Sequence, residues 1–414
     1  METTVKKLVN EKHVQLLVLL CSISYMISYI TRVNYSAVLV EIIESEGLAK
    51  TVASFPLTGL FITYGVGQLI SGVLGDRFSP EKLVLSGLLI TAGMNFLMPM
   101  TSSPVLMTVI WCVNGFAQAL MWPPIVKILT TYITKEMYKK YIVFIGYGGS
   151  LGTIAVYLLS PLVIRLSGWK ALFLVCALLA VIMALVWIRS VNAIEKKARD
   201  TIIVQTQEEV KYAVSHGPLP RTAVVLLIAI VIATALQGVL RDGISTWMPT
   251  YITDTFHLAS TVSILTGVAL PIFSMCVSGT ASYINRRLIT NEAACSAIYF
   301  GICVLTSFVL CMGTDASPAL SVAMLAIANA VTHGINLMFT CMVIPSFEKF
   351  GKTSTITGII NSSTYVGSAL STYGIALITE NFGWGGTMIA WCAISVLGVI
   401  TCLGMKGRLQ RFKA

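Results

Sequence analysis

Gly72-Val73-Leu74-Gly75-Asp76-Arg77, continued by Phe78-Ser79-Pro80-Glu81-Lys82, is a short charged turn between two long apolar runs. The runs it separates cover residues 51 to 75 and 83 to 100. Working outward, ten more runs fall near 14 to 43, 104 to 133, 141 to 164, 170 to 190, 222 to 250, 263 to 285, 292 to 312, 318 to 347, 354 to 379 and 386 to 405. At roughly 20 apolar residues per membrane crossing, a chain of 414 residues accommodates all twelve as helices.

Composition agrees. Hydrophobic residues make up 56% and charged residues 11% of the chain, against about 25% charged in a soluble protein; mean hydropathy is +0.83. Water is therefore not the main solvent. The expected fold is an all-α membrane protein with twelve transmembrane helices in two pseudo-symmetric six-helix bundles. The one long polar connection, Asn192 to Arg221, divides the chain into an N-terminal bundle (1–191), a linker (192–221) and a C-terminal bundle (222–414). The first apolar run, starting near Val14, is too long for a signal peptide and lacks a small-residue cleavage site, so it is read as helix 1.

A net charge of +10 in a soluble chain would suggest nucleic acid. Here the basic residues sit in the breaks between apolar runs, which points instead to topology and anionic lipid, with no nucleic-acid partner. With both termini inside, 22 of the 28 Lys and Arg residues fall on the inner side and only Lys50, Arg165 and Lys170 outside. The ten cysteines are scattered through apolar segments without metal-ligand spacing and read as small buried hydrophobes. No metal, cofactor or catalytic residue is expected, and an enzyme reading finds no motif to support it.

A weak internal repeat accompanies the six-and-six division. Arg32 precedes Arg77 by 45 residues and Arg241 precedes Arg286 by 45; Gly152 precedes Gly168-Trp169 by 16 and Gly367 precedes Gly383-Trp384 by 16. Such spacing suits parallel repeats about an axis normal to the membrane.

Three basic residues, Arg32, Lys127 and Arg241, lie within hydrophobic runs. An arginine at mid-membrane costs about 2.5–3.5 kcal/mol on insertion scales, so it persists where it faces a wet cavity or a partner. Its planar fork grips phosphate or carboxylate through paired N–H donors and stays charged at any physiological pH. One arginine from each half, both facing a central substrate cavity, would suit a small organic anion. The alternative is pairing with an acid inside the protein. Asp242, next to Arg241 on a helix, is expected to point about 100° away, and Glu41 lies more than two turns from Arg32. Lys127 reads as a snorkelling or gate residue.

Helical spacing sets other polar groups beside these arginines. Tyr25, Tyr29 and Arg32 share one face of helix 1, and Gln237 and Arg241 one face of helix 7. The same spacing unites Tyr64 with Gln68, His333 with Asn336 and Thr340, and Asn361 with Tyr365 and Ser368. Each pair reads equally as interhelical hydrogen-bonding glue. His333, the one histidine within a hydrophobic run, either tunes affinity with pH or is a packing residue.

The turn at Gly72–Lys82 resembles the signature between helices 2 and 3 of the major facilitator superfamily. Further segments resemble the organophosphate:phosphate antiporters within it: Tyr25, Tyr29, Arg32 and Asn34; Asn114-Gly115-Phe116-Ala117-Gln118 with Trp122-Pro123-Pro124; and Leu240-Arg241-Asp242-Gly243-Ile244 with Trp247-Met248-Pro249-Thr250. The resemblance runs over essentially the whole chain. It implies a secondary active transporter acting as a monomer in a bacterial cytoplasmic membrane, with Arg32 and Arg241 binding the substrate phosphate and Trp122 among the lining residues. Glycerol-3-phosphate transporters of this family carry a lysine where this chain has Gln68 and a histidine where it has Gly146 to Ser150, and Asp242 follows the helix 7 arginine. These departures suit a less highly charged phosphate ester or a carboxylate. A membrane sensor of sugar phosphate is the competing reading; drug efflux would need an intramembrane carboxylate facing the cavity, and the one candidate, Asp242, sits beside an arginine.

Overall fold

The computed structural model describes residues 4–6, 8, 10–133, 135–199, 202–204, 219–313, 317–350 and 353–413. Helices fill nearly all of them: α1 (Glu11–Ala37), α2 (Leu39–Glu46), α3 (Lys50–Arg77), α4 (Pro80–Leu97), α5 (Pro104–Ala119), α6 (Trp122–Tyr132) and α7 (Lys135–Arg199). After these come α8 (Arg221–Phe256), α9 (Ser260–Thr266), α10 (Ala269–Arg287), α11 (Glu292–Met312), α12 (Pro318–Leu337) and α13 (Thr353–Lys413). A three-residue ribbon, β1 (Thr4–Lys6) antiparallel to β2 (Ile202–Val204), is an addition that hydropathy did not predict.

Ten helical stretches among the described residues are long and apolar enough to cross a membrane. Two are more than twice the roughly 20 residues one crossing needs: Phe144–Val191 has 48 and Ile356–Lys413 has 58. Each is interrupted by non-helical backbone, at Gly168 (φ 76°, ψ 172°) and at Gly383 (φ 68°, ψ −174°). That region of φ/ψ space is in effect reserved for glycine. The repeated Gly-Trp pairs thus mark where one crossing ends and the next begins, and dividing both stretches gives the twelve expected crossings.

The run expected over 104 to 133 is two helices, α5 and α6, parted at Leu120 and Met121. Pro123 and Pro124 explain the restart: proline has no N–H to donate and is tolerated in a helix's first turn. At α4 the same logic is reinforced by a cap, the Ser79 hydroxyl accepting from the Lys82 N–H ahead of Pro80. Large apolar side chains stay exposed on many helices, Leu166 at 75% and Phe382 at 76% among them. Such faces suit hydrocarbon rather than water.

By compactness the chain groups into Met1–Asn34 with Val66–Lys211, and Tyr35–Gly65 with Tyr212–Ala414. In the first unit α4 packs on α5, α6 and α7. A buried polar network ties its helices together: Asn34 donates to Asn95 at 2.7 Å, Thr91 to Asn114 at 2.7 Å, and Gln118 to Thr31 and Thr91 at 3.0 Å each. Asn34, Asn114 and Gln118 are therefore interhelical ties, satisfied within the bundle.

In the second unit α8 lies against α13 and α12. The segment Tyr35–Gly65 joins them through side chains along α3. Lys50 Nζ sits 2.6 Å from Asp254, which also accepts from the Trp384 indole at 2.9 Å. The Thr51 N–H donates to Glu380 at 2.8 Å, Thr58 and Thr372 share a hydrogen bond of 2.9 Å, and Phe55 stacks on Tyr373. Near Lys50 a recess of about 550 Å³ is lined by Glu44, Thr253, Asp254 and His257. Partial burial, with Glu41 and Asp254 adding their charge, pushes the Glu44 carboxyl above its ordinary range.

The side chains of Asp76 and Arg77 in the signature turn, and residues 205–218 of the expected linker, lie outside what is described.

Candidate functional site

Arg32 sits on α1 in the first unit, half-buried, with its guanidinium carbon 4.1 Å from the centroid of the Tyr29 ring. A cation over a tyrosine face is held by the ring's quadrupole. Tyr25, one turn earlier, donates to the Tyr29 hydroxyl at 3.5 Å, and its ring lies 4.7 Å from that of Trp122 at the start of α6. The restart at Trp122-Pro123-Pro124 thus brings Trp122 to the helix 1 face where spacing had placed Tyr25, Tyr29 and Arg32. Gln68, on α3, has a buried side-chain amine that meets no hydrogen-bond partner among the described residues.

Helix α7 closes on this face through glycine. A Cβ on Gly149 would enter the Tyr29 ring, and one on Gly148 or Gly152 would strike the backbone carbonyl of Ser22 or Met26. The missing side chain of Gly149 thus seats Tyr29.

Arg241 sits on α8 in the second unit and does not stand apart from Asp242 as expected. Its Nε donates to Asp242 Oδ1 at 2.9 Å and its Nη2 to Oδ2 at 2.7 Å, a two-pronged pair between neighbours. The 100° separation holds for the Cα–Cβ directions. A guanidinium on a long flexible stem swings back across that angle, and the Ser368 hydroxyl on α13 donates to the same Asp242 oxygen, fixing the carboxylate. Glu41, the other acid considered for an arginine, instead accepts from Ser260.

Around this pair the second unit gathers most of the groups named from spacing. The Arg241 guanidinium carbon is 5.7 Å from the Tyr365 ring, and that ring meets Tyr64 edge-on at 4.6 Å. His333, on α12, lies near enough to feel the charges of both Arg241 and Asp242. Gln237, one turn before Arg241, is fully buried, and neither its amide oxygen nor its nitrogen meets a partner among the described residues. Leaving such groups unpaired costs about 1–3 kcal/mol each, so an unsatisfied glutamine beside an arginine suits a place made for a polar solute.

Asn336 and Asn361 are half-buried on α12 and α13. Thr340, grouped with His333 and Asn336 by α-helical spacing, loses that register: Met338–Met342 form a π-helical turn, and the Thr340 hydroxyl donates to the Asn336 carbonyl at 2.7 Å.

Close helix approach here also depends on glycine. A Cβ on Gly238 would overlap the Thr364 carbonyl, and one on Gly367 the Ala235 carbonyl. The glycines of α8 and α13 therefore set the depth at which Asp242 and Ser368 meet. Sequence spacing missed Ser368 as a partner of Asp242, since no pattern along α8 reports what α13 presents.

Comparison with known proteins gives this architecture its relatives. A 23% identical match over 409 residues, spanning 92% of this chain and 88% of the relative, is to a probable hexose phosphate transport protein of Chlamydia pneumoniae. A 22% identical match over 403 residues, spanning 91% and 89%, is to the glycerol-3-phosphate transporter of Bacillus subtilis (strain 168). Among solved structures, a bacterial homolog of the human lysosomal transporter Spinster, inward-facing and unoccupied, superposes with a TM-score of 0.74 at 11% identity, covering 98% of this chain and 96% of that one; this likeness concerns fold. The major facilitator family model matches residues 21–372, from helix 1 through most of the helix that carries Tyr365 and Ser368. With twelve crossings, paired Gly-Trp breaks and that match, the chain belongs to the Major Facilitator Superfamily.

Proposed function

We propose that this protein is a secondary active transporter of a small organic anion, a phosphate ester exchanged for inorganic phosphate by alternating access. Arg32 and Arg241 are its anion-binding side chains. The observation that carries the reading is Arg241 inside a membrane-spanning helix beside the fully buried Gln237, whose amide meets no partner among the described residues. An oxyanion offers an acceptor to the Gln237 amide and, to the Arg241 fork, the same paired acceptors that Asp242 provides. The names of the Chlamydia and Bacillus relatives favour phosphate esters as the class.

Tyr25, Tyr29, Trp122 and Gln68 line the site around Arg32, and Tyr64, Gln237, His333, Asn336, Asn361 and Tyr365 around Arg241. The protein acts as a monomer in a bacterial cytoplasmic membrane, built as two six-helix bundles joined by the 192–221 linker, with both termini in the cytoplasm. The inner-side excess of Lys and Arg supports that orientation. A green-fluorescent fusion at the C-terminus is expected to fluoresce in cells, while a periplasmic alkaline phosphatase fusion at the same point stays inactive; the reverse pattern refutes the orientation.

Counterflow tests the transport reading. With no pH gradient imposed, proteoliposomes preloaded with inorganic phosphate are expected to take up labelled phosphate or a phosphate ester, and empty ones to take up far less. Equal, slow uptake by both would sink the proposal, as would undiminished uptake in both Arg32→Lys and Arg241→Lys.

A further inference from the structure

We propose that Asp242 is the proton-binding group that couples anion transport to protons: its carboxylate occupies the Arg241 fork, and a substrate anion takes over that fork once Asp242 has accepted a proton. The inference rests on Arg241 being an anion-binding residue. It adds the coupled ion, which the exchange reading leaves open.

The geometry carries the argument. Asp242 engages the Arg241 guanidinium through both carboxylate oxygens, at 2.9 and 2.7 Å, the arrangement that a phosphate or carboxylate cargo would itself adopt. Cargo and carboxylate are therefore rivals for the same N–H donors. Two anions cannot share one arginine without strong mutual repulsion, and such pairs resolve by taking up a proton. Gln237, fully buried one turn away and without a partner among the described residues, supplies further polar capacity on the same helix face for a solute.

The other groups around Asp242 fit the exchange of roles. Ser368 on α13 donates to the charged carboxylate, and its hydroxyl can equally accept from the protonated acid, so Asp242 keeps a partner in both states. Tyr365 on α13 presents its ring to Arg241, and Tyr64 on α3 meets that ring edge-on. His333 on α12 is a further titratable group that feels both charges.

The proton balance is simple. A proton from one aqueous phase binds an Asp242 oxygen, the Arg241 N–H donors pass to the anion, and both solutes leave on the other side as Asp242 returns to the fork. Net uptake moves a proton with each anion, whereas exchange of one anion for another moves none. The empty carrier keeps Arg241 neutralised and can reorient without cargo.

Inorganic phosphate is the probe. In proteoliposomes without internal anion, with membrane potential clamped at zero, lowering external pH by one unit is expected to raise phosphate accumulation about tenfold more in the wild type than in Asp242→Asn. Phosphate's own ionisation is common to both proteins and cancels. Phosphate exchange in Asp242→Asn is expected to lose its acceleration at acid pH.

An equal response of both proteins overturns the proposal, as does a response lost in His333→Gln and kept in Asp242→Asn. If Asp242→Asn does not reconstitute, calorimetry of phosphate binding to the wild type in buffers of different ionisation enthalpy decides. Uptake of about one proton per anion beyond that of phosphate itself supports the coupling, and none refutes it. Phosphate counterflow without proton coupling rejects this inference alone; absence of counterflow in the wild type removes the transport reading as well.

Discussion

Arg32 and Arg241 meet the cost of burial in different ways. Arg32 lies on the Tyr29 ring at 4.1 Å, and Arg241 is clasped by Asp242. In both, the planar fork matters as well as the charge, so lysine is a poor substitute. Losing one charge-assisted hydrogen bond of about 1.5–3 kcal/mol should weaken anion half-saturation by roughly 10- to 100-fold in Arg32→Lys and in Arg241→Lys. Uptake titrations in proteoliposomes check this, and a change of less than about threefold in either variant contradicts it. Glu44 gives a separate residue-scale test. Its folded-state carboxyl is held above the ordinary value of 4.5, chiefly by burial, so the folded protein carries a penalty for its charge at neutral pH. That penalty is relieved as pH falls through the raised value and is gone once pH reaches about 4.5, where the unfolded chain also protonates. Glu44→Gln should therefore be more resistant to thermal unfolding than the wild type at neutral pH, with the difference shrinking on acidification. A constant difference across that range would contradict the shift.

Helices in this chain are shaped by glycine and proline at specific points. Gly168 and Gly383 adopt φ near +70° with extended ψ, which a side chain resists at about 1–3 kcal/mol, and they end one crossing and begin the next. Gly168→Ala and Gly383→Ala should each lower the melting temperature in detergent, measured by intrinsic fluorescence; an unchanged melting temperature in both would show that the breaks do not need glycine. Gly238 and Gly367 act differently, through contact, since a Cβ on either would overlap a carbonyl of the facing helix. Prolines 123 and 124 restart helix 4 and thereby aim Trp122 at Tyr25. The π-helical turn after α12 has the opposite effect, rotating Thr340 out of the register that His333 and Asn336 share.

At the scale of the molecule, contact groups Tyr35–Gly65 with the C-terminal helices. The ties along α3 run from the Lys50–Asp254 ion pair through Thr58 and Thr372 to the Tyr64–Tyr365 ring contact. The ion pair is partly exposed, with side chains 22% and 32% accessible, so it holds little stability by itself and contributes about 0–1 kcal/mol. If transport by alternating access requires these contacts to part, Thr58→Cys/Thr372→Cys, with threonine oxygens 2.9 Å apart in the wild type, should lose uptake on oxidation and regain it with a reductant. Full uptake by the oxidised, cross-linked protein would show that α3 and α13 stay together throughout the cycle.

The twelve crossings, the membrane setting and the two unusual arginines were legible in the sequence, because each rests on a local quantity: the transfer free energy of a run of side chains, or of one charge within it. The Gly-Trp repeat was legible too, since only glycine fills the backbone corner at Gly168 and Gly383. Tertiary structure alone decided what the arginines touch. Spacing placed Asp242 a third of a turn from Arg241, yet a long flexible side chain and a hydroxyl from a helix more than a hundred residues away bring the two together. It likewise decided that Asn34, Asn114 and Gln118 are spent on each other's helices while Gln237 is not. Partnership across helices depends on which faces meet, and no single helix's periodicity records the face of its neighbour.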